Sequence, residues 1–256
     1  MAKYIGTGLL LALQFFSVFP IRKNLPMERQ HVTAMYIQLP VIGMLMGGVL
    51  ATVAFLLRDA TDASSLLVGF LMTLLSIAMT GGLHLDGLAD SADAYFSYQE
   101  KERRLEIMGD PRIGAFGAIA LILTITGKIV IISETVLSVS VWMILLLPII
   151  SRIGLLLLFT LTSTSKNSGL AAFFRKKANL SMITAFALAW IVIVAAAIII
   201  LAGWQNGIAL LVAFLIASFL YRLWCNKNFG GVTGDLFGAY VEGIELLLWI
   251  MILFFI

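Results

Sequence analysis

MITAFALAWIVIVAAAIIILAG, residues 182–203, runs for 22 positions without a charged side chain. After Trp204-Gln205-Asn206 a second apolar run, GIALLVAFLIASFLYRLWC at 207–225, carries only Arg222. A membrane crossing needs about 20 mostly apolar residues, so each run is long enough to span as a helix. The same ruler applied outward finds 35–57, 65–83, 115–133, 138–160 and 239–256, which makes seven crossings. Tyr4–Phe19 is a shorter apolar stretch ending at Pro20; it either crosses or lies in the membrane interface. Of the 256 residues 61% are hydrophobic and 12% charged, against roughly 45–50% and about 25% in a soluble domain. The mean hydropathy is +1.04. A soluble domain, a disordered chain, a coiled coil and a collagen-like fibre are excluded. No linker, low-complexity run or repeat interrupts the chain. The expected fold is all-α: a polytopic membrane helix bundle of about seven to eight transmembrane helices, with 1–256 as a single domain whose first partner is the lipid bilayer.

The connections differ sharply in lysine and arginine, the quantity that sets orientation. Segments 20–34, 84–114, 161–181 and 226–238 hold 12 of the 17 basic residues, whereas 58–64, 134–137 and 204–206 hold only Arg58. The four basic loops are therefore expected on the cytoplasmic side. The net charge of +3 reports topology and gives no support to nucleic-acid binding. Cys225 is the one cysteine, so neither an internal disulfide nor a zinc site is available.

The acids are unevenly placed, nine of fourteen crowding around two of the basic loops. In GGLHLDGLADSADAYFS, 81–97, Asp86, Asp90 and Asp93 stand at i, i+4 and i+7, on one face of a helix. Their repulsion is relieved by a divalent cation, and oxygen-only ligands favour Mg²⁺ or Mn²⁺. The plainer readings are an acidic helix N-terminus or a solvated face. In NKNFGGVTGDLFGAYVEG, 226–243, Gly230, Gly231 and Gly234 lead into a helix carrying Asp235 and Glu242 at i, i+7. Such glycines let backbone approach a phosphate, or simply make a turn between spans. KERRLEIMGDPRIGAFG, 101–117, offers Arg103, Arg104 and Arg112 as a phosphate clamp or as a topology signal. Lys128 and Arg152 lie inside apolar spans and need partners, structural or in a substrate cavity. His84 is a secondary acid/base candidate.

GGLHLDGLADSADAYFS, RRLEIMGDPRIGAFG and FGGVTGDLFGAYVE, in that order, resemble the signature blocks of the cobalamin synthase (adenosylcobinamide-GDP ribazoletransferase) family. FFSVFPIR at 15–22 and LPVIGMLMGG at 39–48 extend the likeness over most of the chain. The chain departs from the family pattern at Ala94, Gly109 and Pro111, leaving the acids and Arg112 in place. The resemblance implies an Mg²⁺-dependent phosphotransferase of the cell membrane. Its substrates would be adenosylcobinamide-GDP and α-ribazole or its 5′-phosphate; its products, adenosylcobalamin or its 5′-phosphate and GMP. On that reading Asp86, Asp90, Asp93 and Asp235 hold the metal, with Asp86, Asp90, Arg112 and Glu242 at the chemistry. Gly230, Gly231, Gly234, Arg103 and Arg104 then contact phosphates. A homo-oligomer or a complex with other cobalamin-pathway enzymes is compatible with it. A partial similarity to the CDP-alcohol phosphotransferases is a mechanistic analogy, since Asp90 stands where those enzymes carry arginine. A transporter is the main rival, but it would concentrate polar groups near the bilayer midplane; a non-catalytic scaffold would not need the acids.

Overall fold

The computed structural model describes residues 2–254. Among the described residues it is a bundle of helices whose one β feature is an isolated bridge between Thr164 and Val232. The elements are α1 (Ala2–Phe16), α2 (Arg29–Ile37), α3 (Leu39–Ala60), α4 (Ser65–Thr80), α5 (Leu83–Phe96) and α6 (Lys101–Ile107). They continue with α7 (Ala115–Thr135), α8 (Val141–Leu161), α9 (Gly169–Lys177), α10 (Leu180–Phe229) and α11 (Gly234–Leu253).

α8, apolar but for Ser151, Arg152 and Thr160, is buried over most of its length and forms the centre of the bundle. α3 lies against it through Gly43 and Gly47: a Cβ at Gly43 would come within 2.5 Å of the Pro148 carbonyl oxygen, and one at Gly47 would overlap Leu145. This is the small-xxx-small contact by which helices approach closely where lipid supplies no hydrophobic drive between them. α7 and α10 keep most of their surface outward, toward the lipid.

Five helical stretches, Arg29–Ala60, α7, α8, α10 and α11, are long and apolar enough to cross, or six if α4 and α5 are counted together. The 50 residues of α10 are not one rod. Gly203 has φ 77° and ψ 163°, and a Cβ on Gly207 would lie 3.0 Å from Ile199 Cα, whereas eight residues of continuous helix separate two Cα atoms by about 12 Å. The chain therefore folds back at Gly203 into two arms, 180–202 and 204–229, as the runs 182–203 and 207–225 require. Both ends of this hairpin return to the face of the basic loops: the Asn179 amide donates to Thr33 Oγ1 at 2.9 Å, and Arg104 Nη1 donates to Asn228 Oδ1 at 2.8 Å.

One expected crossing differs, and the choice left open for the first apolar stretch is decided. The run 65–83 is realised as α4, which has 16 residues and stops at Gly81, where the chain turns by 90° into α5. α5 starts beside Gly238 of α11 and runs outward past the N-terminus of that helix, so that Asp90, about one turn beyond the contact of Gly87 with Asp235, lies past the end of the span. α1 does not cross: Tyr4 packs edge-on against His31 in the first turn of α2, and just past its C-terminus the Val18 amide donates to the Met79 carbonyl at the end of α4. Both contacts are at the basic face, so the helix rests in the interface. The last two residues of the run 239–256 lie outside the described residues.

Candidate active site

The site is built where α5 meets α11. Gly81 (φ 64°) and Gly82 (φ 78°) occupy the left-handed region, which glycine enters without a Cβ clash, and together they make the 90° turn that starts α5. α5 then runs antiparallel to α11 with glycine at each crossing. A Cβ at Gly87 would lie 2.5 Å from the Asp235 carbonyl oxygen, and one at Gly238 would lie 3.0 Å from His84 Cα. α11 begins at Thr233, whose hydroxyl accepts from the Leu236 amide at 3.2 Å. Its entry is held by the bridge in which Val232 N donates to Ser163 O at 2.9 Å and Ser165 N to Val232 O at 3.0 Å.

This crossing brings Asp86, Asp90 and Asp235 into one electrostatic neighbourhood. Asp86 is exposed, and Asp90 and Asp235 are partly buried. The Asp90 carboxyl is pushed up to about 6, by burial first and then by the charges of Asp86, Asp235 and Asp93. A cavity of about 490 Å³ opens on one side, lined by Gly81, Gly82, Asp86, Asp90 and Pro111. Another of about 280 Å³ lies on the other side, lined by Lys166, Ser168, Thr233, Gly234 and Asp235.

The remaining sequence candidates fall elsewhere. Both oxygens of Asp93 accept backbone amides of the next helix, from Gly114 at 2.7 Å and from Gly117 at 2.8 Å, so this side chain caps α7. Gly230 (φ 72°) terminates α10, and Gly231 packs on Ser163; both serve the turn, while Gly234 borders the smaller cavity. Arg104 is packed over the Tyr95 ring and bonded to Asn228. Arg103 is exposed and pairs with Glu106 at 2.6 Å. Arg112 is exposed and holds Asp110 bidentately, Nε to Oδ1 at 2.9 Å and Nη2 to Oδ2 at 2.6 Å, which keeps the Asp110 carboxyl down at about 2.

Glu242 lies about 10 Å further along α11 than Asp235, buried against Lys128 Nζ at 2.6 Å. Glu245, one turn on, pairs with Arg152 and accepts from Ser151 Oγ at 3.0 Å, and it lies 3.5 Å from Lys128. These are the partners that the two intramembrane bases require. Glu245 was not singled out in the sequence; its spacing of i+3 from Glu242 within an apolar run was the available signal. His84, at the start of α5, is buried beside this cluster.

Among the described residues no three Asp, Glu, His or Cys side chains stand in a geometry that would hold a metal ion. By chemistry, Asp86, Asp90 and Asp235 do fit a hard divalent cation. They are oxygen-only donors, open to cavities on both sides, and their mutual repulsion is what raises Asp90 after burial.

The profile of the family described as cobalamin-5-phosphate synthase matches residues 8–253. An adenosylcobinamide-GDP ribazoletransferase of Geobacillus sp. (strain WCH70) is 34% identical over 252 residues, 98% of this chain and 96% of the relative. One of Clostridium botulinum (strain Langeland / NCTC 10281 / Type F) is 35% identical over 251 residues, covering 98% and 99%. A third, of Halalkalibacterium halodurans, is 33% identical over 257 residues, covering 97% and 96%. No solved structure matches the chain. With the profile covering nearly its whole length and relatives above 30% identity aligned end to end, the chain belongs to the cobalamin-5-phosphate synthase family.

Proposed function

We propose that the chain is a membrane phosphotransferase that converts adenosylcobinamide-GDP and α-ribazole, or its 5′-phosphate, to adenosylcobalamin, or its 5′-phosphate, and GMP. Family membership supports the reaction. The observation that carries the site is the glycine-mediated crossing of α5 and α11, which sets Asp86, Asp90 and Asp235 between two cavities on the basic face. In the transfer, a ribose hydroxyl oxygen forms a bond to the phosphorus that bears cobinamide. The bond from that phosphorus to the bridging oxygen breaks, and GMP leaves with that oxygen. Asp90, whose carboxyl is raised by burial ahead of any neighbouring charge, suits the role of receiving the hydroxyl proton, since a less acidic carboxyl is the stronger base. Asp86 and Asp235 would hold Mg²⁺, which when bound supplies charge neutralisation for the diphosphate. Arg112, exposed beyond the turn at Pro111, offers a planar fork that can exchange Asp110 for a phosphate.

The bias of lysine and arginine supports a cytoplasmic location for this face in the cell membrane. The test is release of GMP from adenosylcobinamide-GDP by purified protein in nanodiscs, with α-ribazole and Mg²⁺ supplied. Asp86→Asn and Asp90→Asn should each nearly abolish release from protein that still folds. Full activity in both variants would remove the site from α5.

A further inference from the structure

A cavity larger than either of those beside the carboxylates lies remote from them. About 740 Å³ in volume, it lies between α1, the α2–α3 rod and the first arm of α10, and no residue of α5 or α11 lines it. Two rows of side chains at four-residue spacing face each other across it: Thr33, Ile37 and Val41 on one helix, and Met182, Phe186 and Trp190 on the other. Such spacing keeps each row on one helix face. Of its polar lining residues Arg29, Gln30 and Asn179 stand together at the basic face, while Tyr4, Thr33 and Gln38 lie along the walls. From Arg29 to Val41 is 12 residues along a nearly continuous helix, about 18 Å, which is close to half the ~30 Å hydrocarbon thickness of a bilayer. The groove is therefore about as long as an acyl chain, which fills half of that thickness. It is open sideways, since Ile5 and Phe186 on its rim are 49% and 40% exposed. Among the described residues the Arg29 side chain has no ion-pair or hydrogen-bond partner.

We propose that this groove is a binding site for one anionic phospholipid of the basic-face leaflet, its phosphate at Arg29 and one acyl chain between the two rows. A free cation at the mouth, largely apolar walls and the length of an acyl chain match the charge, polarity and length of that molecule.

Native mass spectrometry of protein taken from nanodiscs of equal parts phosphatidylglycerol and phosphatidylcholine tests the site. Wild type should retain one phosphatidylglycerol per chain. Arg29→Gln, at an exposed position, should lower the preference for phosphatidylglycerol about fivefold, as expected for one cation at a membrane surface. Val41→Trp fills the deep end, and Ile5→Trp closes the rim from a partly exposed position that does not depend on core packing; each should abolish retention. If Val41→Trp fails to fold, Ile5→Trp decides alone. Equal retention of the two lipids by wild type, a retained lipid that persists when the groove is blocked, or displacement of the lipid by α-ribazole would each overturn the proposal.

Discussion

Replacing Lys128 by methionine should destabilise the protein more than replacing its partner Glu242 by leucine, and the asymmetry follows from the geometry. The two side chains are 5% and 6% exposed, with nitrogen and oxygen 2.6 Å apart. Lys128→Met leaves Glu242 buried without its ion-pair partner, and breaking a buried pair in this way costs about 3–5 kcal/mol. Glu242→Leu leaves Lys128 beside Glu245 at 3.5 Å, so a second carboxylate takes over part of the charge. The loss is then nearer to one charged hydrogen bond, roughly 1.5–3 kcal/mol. The double variant replaces both ions with apolar groups of similar volume and should lie below the cost of Lys128→Met alone. Equilibrium unfolding of all three in mixed micelles reads these differences. A double variant that unfolds at the sum of the two single costs would refute the account, because additivity means the groups do not interact.

Asp90 gives the protein a pH-dependent stability in the absence of Mg²⁺. The folded carboxyl titrates at about 6, above the ordinary aspartate value of 3.8, so between those values the folded state binds the proton more tightly, and stability should fall as pH rises from about 4 to about 6. Denaturation midpoints in EDTA should show this slope in wild type and lose it in Asp90→Asn, and Mg²⁺ should restore stability at pH 7. Gly87→Ala forces a methyl to within 2.5 Å of the Asp235 carbonyl and must move α5 off α11. A displacement of about 1 Å at reacting groups costs about a hundredfold in rate, so kcat should fall by that order while far-UV circular dichroism is unchanged. Arg112→Lys keeps the charge but loses the fork, and the KM for adenosylcobinamide-GDP should rise; unchanged kinetics would leave Arg112 as a topology signal.

The spans were legible because lipid demands long apolar runs, and even the reversal inside α10 was visible as the three residues 204–206 between two such runs. The fate of α1 was not, since 16 apolar residues before Pro20 are compatible with either depth and only the contacts of Tyr4 and Val18 with the basic face decide it. The acidic face of α5 was legible from its period. That Asp93 caps α7 was not, because which helix N-terminus comes to rest on a carboxylate is set by tertiary packing. For Lys128 and Arg152 the sequence stated a requirement for partners without naming them. Glu242 and Glu245 answer it from more than 90 residues away along the chain.

The reversal at Gly203 also makes the chain separable. Trp204 and Gln205 are exposed at the tip of a helical hairpin whose return is fixed by the contact of Gly207 with Ile199 and by anchors at Asn179 and Asn228. The peptide bonds at the tip carry none of these contacts, and exposed loop tips are where chains best tolerate interruption. A cut after Trp204 yields one fragment holding α5 and another holding α11. Asp86 and Asp90 then reside on one polypeptide and Asp235 on the other, so the protein becomes a pair of half-enzymes whose activity reports their reassembly in the membrane.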